Sequence, residues 1–217
     1  MSIVSFVVKK SGIVIPFTED FTGDINIPIN STIWLDRYTQ TPATYNQVLL
    51  DGSGNAVMRY LNTGDKYSQF DSKFLLGGDF DIECKFSLPT IPNYNTSQFW
   101  FYSNIDGTHF YQIGREFHTG FLGHEIRAFA YNNGIVINSP VSYTGVNDIR
   151  LRLTRVGTAW TGYYWNGSSW TSLGTNSTIG TGNADIRVQH YSSNTSTPDW
   201  QTNVDYIKIN SGTLVLP

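Results

Sequence analysis

Side-chain character in this chain repeats with a period of two, and no stretch carries a convincing helical period of 3.6. The clearest run starts at Gly78. Phe80, Ile82, Cys84 and Phe86 fall on one face of an extended chain, and Asp79, Asp81, Glu83 and Lys85 fall on the other. Ile149, Leu151 and Leu153 alternate in the same way against Arg150, Arg152 and Thr154. Further strands are expected over 98–103, 108–114, 125–131, 135–137, 159–165, 184–191 and 204–209, where β-branched and aromatic residues lie between turn clusters. Gly157-Thr158 reads as a turn, and Asn166-Gly167 is the strongest hairpin signal in the chain. Regularly spaced antiparallel strands of this kind make an all-β sandwich or barrel and argue against a βαβ fold.

A single β sandwich can fill 217 residues. Residues 1–70 are less regular, with loops around 26–31, 39–46 and 62–66, and read as the first strands of one domain over 16–217. Length leaves a separate N-terminal domain open as the alternative. Residues 1–15 are either an N-terminal arm or the first strand. The surface is polar but sparsely charged: charged residues are 14%, and Ser, Thr and Asn together supply about 60 positions. The net charge of −3 gives no basic footprint, which argues against general nucleic-acid binding. One cysteine excludes an internal disulfide and any multi-cysteine metal site. No apolar run reaches the length of a membrane span. The opening Met1 to Lys10 has its lysines after a short apolar stretch, unlike a signal peptide, and implies synthesis in a cytosol.

Several segments in order resemble the concanavalin A-like lectin/glucanase superfamily. These are Phe17 to Gly23, Trp34, Leu50-Asp51-Gly52, Gly78 to Pro89, the hairpin from Leu151 to Gly167 with Trp170, and Asn203 to Ile209. The resemblance covers about residues 17–210 and implies a jelly-roll sandwich of two antiparallel sheets with a concave face that in this superfamily often binds a glycan. The retaining glucanases there carry E-x-D-x-E or E-x-D-x-x-E on a central strand, because their chemistry needs a nucleophile and an acid/base carboxyl on one face. The strand in that place here, Thr108 to Gly114, has no carboxylate. Asp79, Asp81 and Glu83 mimic the pattern, but by order they match the preceding strand. They read as the solvated face of an edge or outer strand, with a glycosidase or a metal site as the alternatives. The implied skeleton is laminarinase-like without its catalytic carboxylates, so the expectation is no enzyme.

Other constellations are weaker. Cys84 shares the apolar face and reads as buried. His109, His118, His124 and His190 lack zinc-type spacing. His118 and His124, with Glu116 and Glu125, lie among Gly114, Gly120 and Gly123 in what reads as a turn or loop.

Sugar rings are held by flat aromatic side chains and by planar polar groups that read hydroxyls. Several strands carry aromatics on both faces. By the more polar set, Trp100, Tyr102, Tyr111, Arg127, Tyr131, Tyr163 and Trp165 are expected to point outward, some of them lining the concave sheet. Such residues serve either a glycan site, or sheet stabilisation and protein contact. The resemblance also implies a structural Ca²⁺ on Asp205, with Asp20 as its neighbour, against the alternative of an ordinary surface aspartate. No other cofactor is expected. A disulfide-free β chain rich in Ser, Thr, Asn and Gly resembles bacteriophage virion proteins such as tail fibres and head decorations. The expected role is a carbohydrate-binding adhesion domain on a virion. Its partners would be a cell-surface or environmental glycan, other virion proteins and further copies of itself. A purely structural virion protein and a divergent glycoside hydrolase are the alternatives.

Overall fold

The computed structural model describes residues 16–40, 45–59, 66–89, 97–118, 123–133, 135–138, 140–142, 147–192 and 201–216. The arm or first strand expected at 1–15 and the turn at Gly120 lie outside the described residues.

Two sheets form. The eight-stranded sheet has the order β15 (Trp170–Asn176), β14 (Ala159–Trp165), β13 (Ile149–Val156), β7 (Leu75–Ser87), β17 (Gln201–Val215), β5 (Ala56–Arg59) and β4 (Leu49–Leu50), with β1 (Phe17–Glu19) also on β17. The nine-stranded sheet has the order β11 (Ile135–Asn138), β10 (Gly123–Asn132), β9 (His109–His118), β8 (Ser97–Asn104), β16 (Asp185–Ser192), β6 (Lys66–Ser72) and β2 (Trp34–Asp36). In that sheet β12 (Val141–Ser142) joins β10, and β3 (Tyr45–Asn46) joins β6 as a short parallel pair. The other ladders are antiparallel, and the chain passes from one sheet to the other after β1, β3, β5, β6, β7, β12, β15 and β16. This is a jelly-roll β sandwich, as the resemblance implies.

The period of two decides what each strand buries. Phe80, Ile82, Cys84 and Phe86 of β7 meet Phe99 and Phe101 of β8 in the core, where Phe86 and Phe99 lie 4.0 Å apart between ring centroids. Fully burying a side chain of that size stabilises the fold by about 1.5–3 kcal/mol. Cys84 is inside, and burial pushes its thiol up. Trp34, Phe21 and Phe70 tie the described strands β1, β2 and β6 into the same core.

Two local expectations are corrected. The strand carrying Asp79, Asp81 and Glu83 is not at an edge: β7 lies between β13 and β17, because its apolar face is needed mid-sheet. Its outward carboxylates are engaged. Asp81 takes two hydrogen bonds from Arg152, Glu83 accepts from the Tyr206 hydroxyl, and Asp79 accepts from the Gly157 backbone N–H. In the Gly-rich stretch β9 reaches His118 and β10 starts at Gly123, so Gly114, Glu116, His118, Gly123, His124 and Glu125 belong to strands, and residues 119–122 lie outside the described residues.

Tyr111 is also corrected. It points into the core, because its hydroxyl donates to the Gly174 carbonyl at 2.7 Å and so needs no water. Gly162 on β14 makes the room: a Cβ there would stand 2.9 Å from Tyr111 Cε1. Burial pushes the Tyr111 phenol up to about 12. Arg155 follows Leu151 and Leu153 inward. Its guanidinium lies over the Phe80 and Trp160 rings and donates to the Gly78 and Gly182 carbonyls, while burial lowers its pKa.

His190 is a buried group with a consequence for pH. It is fully enclosed, with Nδ1 2.9 Å from Thr202 Oγ1, and burial lowers its pKa to about 3. The unfolded chain would protonate near 6.5, so between those values the unfolded state binds more protons and stability falls as pH falls. Urea unfolding from pH 7 down to pH 4 should show a loss approaching about 1.4 kcal/mol per pH unit from this residue. A folded His190→Gln variant should lose that part of the slope. An unchanged slope would assign the acid sensitivity elsewhere.

Candidate binding face

The register is unbroken through β10, β9, β8, β16 and β6, so outward side chains of the nine-stranded sheet stand in rows across the strands. The first row reads Glu125, Glu116, Gln98, Tyr191, Tyr67 and, from β3, Tyr45. The second is Arg127, Gly114, Trp100, Gln189 and Gln69. The third is Phe129, Gln112, Tyr102, Arg187 and Asp71. The fourth is Tyr131, Phe110, Asn104 and Asp185.

This outer face is recessed. Trp100 is 4% exposed, Arg127 6%, Gln69 3% and Asp71 3%, although all four point away from the core between the sheets. The outward Glu83, Arg152, Tyr163 and Trp165 of the eight-stranded sheet keep an intermediate exposure. Buried polar groups are normally partnered, and here they largely partner one another, although Glu116 Oε2 has an ion pair with Arg127 and no hydrogen bond among the described residues. Arg127 contacts Glu125 at 2.7 Å and Glu116 at 3.3 Å, and Gln98 donates to Glu116 at 2.7 Å. The Trp100 indole N–H donates to Gln98 at 3.0 Å. Arg187 clasps Asp185 through Nε and Nη2, while Asp71 accepts from Arg37 and Gln69. Gln189 donates to Gln69 at 2.6 Å. Burial raises the Asp185 carboxyl, with the Arg187 hydrogen bonds pulling the other way. Burial would lower Arg187, but Asp185 and Asp71 outweigh it and raise its pKa.

Half-buried aromatics border this floor. Phe110 and Tyr131 stack at 5.1 Å and 14°. Tyr67 stacks on Tyr191 at 4.7 Å and lies 5.6 Å from Tyr45. Phe129 meets Trp100 edge to face at 5.3 Å. Gly114 lets the Trp100 indole lie down: a Cβ there would run into the Phe99 carbonyl and stand 2.5 Å from Trp100 Cε3.

Of the residues expected outward, this face brings together Trp100, Tyr102, Arg127 and Tyr131. Trp100 and Tyr102 are its floor, and Tyr131 is on its border. Tyr163 and Trp165 point outward from the other sheet. There Trp165 meets Trp170 across the hairpin at 5.5 Å, and Arg150 and Arg152 lie over these rings. Tyr111 is in the core. Sequence reasoning missed Phe110, Gln112, Arg187, Tyr67 and Gln69. The signal was the period of two itself, since choosing Tyr111 over Phe110 by polarity turned β9 the wrong way round.

Asp205 and Asp20 do not fit a calcium site. The Lys85 ammonium sits 2.6 Å from Asp205, Asp20 accepts from Thr22, and no group of three or more His, Cys, Asp or Glu gathers among the described residues. His109 pairs with Asp106 at 2.9 Å, outside the rows.

No family model matches the chain, and no curated protein matches it. Solved structures do. One comes from work on endo-acting O-glycanases that members of the human gut microbiota express to initiate mucin breakdown, with TM-score 0.69, 13% identity, and cover of 90% of this chain and 98% of that one. Another is described as an immunostimulatory antigen and pseudo β-1,3-glucanase of Mycobacterium tuberculosis, with TM-score 0.66, 16% identity, and cover of 90% and 98%. A third is the CBM2 module of the evolved Dit of Lactobacillus casei BL23 phage J-1, with TM-score 0.66, 9% identity, and cover of 91% and 96%. At these identities the likeness shows the fold.

Gly114→Ala should lift the Trp100 indole from the floor and cost about 1–3 kcal/mol, the usual range for overpacking against backbone. Urea unfolding together with the near-ultraviolet circular dichroism of tryptophan measures both effects. Unchanged stability and spectrum would refute the close approach.

Proposed function

We propose that the chain is a non-catalytic carbohydrate-binding domain that serves adhesion on a phage particle. The observation that carries this reading is the recessed outer face of the nine-stranded sheet. Its half-buried aromatics offer flat apolar surface to sugar C–H groups, and its amides and guanidiniums are planar donors and acceptors suited to hydroxyls. The solved proteins of like fold include a pseudo β-1,3-glucanase and a phage Dit CBM2 module, which supports both the ligand class and the setting. The low charge and single cysteine agree with a particle protein made in a reducing compartment. Among the described residues no helix is long and apolar enough to cross a membrane.

The non-catalytic part rests on pairing. Retaining hydrolysis needs an ionised nucleophile and a neutral acid about 5 Å apart. On this face Glu116, Glu125, Asp71 and Asp185 are each tied to a guanidinium, so none of the four stands free to act as a nucleophile or an acid without first breaking a pair. On the other sheet Asp81 is held by Arg152, and Glu83 by the Tyr206 hydroxyl. A structural virion role is the second reading. Ile25 and Ile27 are 65% and 50% exposed, and Ile25 lines a groove with Leu49, Leu50 and Val57 at the β4 edge, an apolar surface suited to contact with another particle protein.

A glycan array probed with the wild type, with calcium and with chelator, tests the main reading. Binding is expected under both conditions. Tyr131→Ala and Tyr191→Ala should each weaken it about tenfold or more, the scale of losing a stacked ring. The bound glycan should release no reducing ends. Release of reducing ends would make the protein an enzyme, and no binding at all would favour the structural role.

A further inference from the structure

We infer that the recessed face accepts uncharged glycans and rejects acidic ones, those bearing uronate, sialate or sulfate. This rests on the carbohydrate-binding reading and adds a charge rule to it. Among the described side chains, four carboxylates face the recess (Glu116, Glu125, Asp71 and Asp185) and three guanidiniums answer them (Arg127, Arg187 and Arg37). The local balance is therefore negative.

Each guanidinium is already committed. Arg127 is shared between Glu125 and Glu116, with side-chain exposures of 7%, 21% and 9%. Arg187 is clasped by Asp185, and Arg37 is bound to Asp71. An arriving carboxylate or sulfate would have to shed water beside this negative balance, and it would gain a cation only by breaking one of these pairs. Breaking a buried pair strands the partner carboxylate, which is the costly outcome for desolvated charges. A neutral sugar meets no such barrier. Its hydroxyls can use the oxygen lone pairs and amide hydrogens that the pairs leave open, and its C–H faces can use Phe110, Tyr131 and Tyr191.

The same arrangement names the position that should reverse the rule. Glu125 is the most exposed carboxylate of the Arg127 pair and takes two of that guanidinium's contacts, at 2.7 Å each. Glu125→Gln keeps the shape, removes one negative charge from the recess and leaves Arg127 with part of its donor capacity for an incoming anion.

The probe is a printed array in which neutral glycans are matched to sialylated, sulfated or uronate-bearing counterparts. The wild type is expected to bind neutral members and to bind each acidic counterpart at least about tenfold more weakly. Its binding to neutral members should hardly change with salt, because no net ion pair forms. Glu125→Gln, checked for folding by circular dichroism, should narrow the gap by raising acidic binding in a salt-sensitive way. Acidic glycans bound by the wild type as tightly as their neutral partners would overturn the charge rule and leave the carbohydrate reading standing. Binding to neither class would overturn the carbohydrate reading and this inference with it. A folded Glu125→Gln that still rejects acidic members would overturn the assignment of the rule to the Arg127 pair.

Discussion

The antiparallel register that runs without a shift from β10 to β6 is the constraint on which the candidate face depends. Neighbouring strands lie about 4.8 Å apart, and outward residues within a strand recur every second position. An unbroken register therefore turns five strands into a lattice whose rows are fixed by backbone hydrogen bonds. A single bulge inside it would send one strand's outward set into the core. The eight-stranded sheet does carry register shifts, in β17 against β7 and in β14 against β15. Those irregularities lie away from the rows that bring Trp100, Gln189 and Gln69 together.

Burial on an outward face imposes the second constraint. Charged groups that are nearly closed to water must be neutralised locally, because desolvation penalises each ion separately. The two guanidiniums at the heart of the face each sit between carboxylates, and glutamines extend each cluster, Gln98 on Glu116 and Gln69 with Gln189 on Asp71. This produces a polar floor whose charged groups hold one another in place. The opposite sheet uses the same chemistry differently: there the arginines lie over Trp165, Tyr163 and Trp170 and brace the hairpin at Asn166-Gly167.

Much of the sandwich was legible in the sequence, because strand alternation is written residue by residue. The strands at 149–156 and 159–165 and the turn between them were read almost to the residue. The orientation of β9 was not, since polarity misleads where a tyrosine finds a partner inside. Tyr111 is buried because Gly162 opens space and the Gly174 carbonyl receives its hydroxyl, and both lie on strands of the other sheet. Arg155 escaped notice for the same reason: its partners Gly78 and Gly182 are far away in the chain. The placement of β7 mid-sheet depended on β13 and β17, which also lie far along the chain.

By itself the sequence determined that each strand would have two chemically distinct sides, because consecutive Cβ atoms must point to opposite faces of an extended chain. It also determined the all-β class and the hairpin turns, which are local. Only the tertiary structure decided which outward sides share a surface. Trp100, Arg127 and Tyr131 came to one recess through the consecutive ladders of β8, β9 and β10, while Tyr163 and Trp165 went to the opposite sheet, because the chain crosses after β12 and β13 pairs with β7, a strand distant in sequence. The ion pairs of that recess were likewise decided by neighbours in space. Glu116 and Glu125 stand opposite one another on β9 and β10, and the Arg127 guanidinium beside them makes that juxtaposition stable.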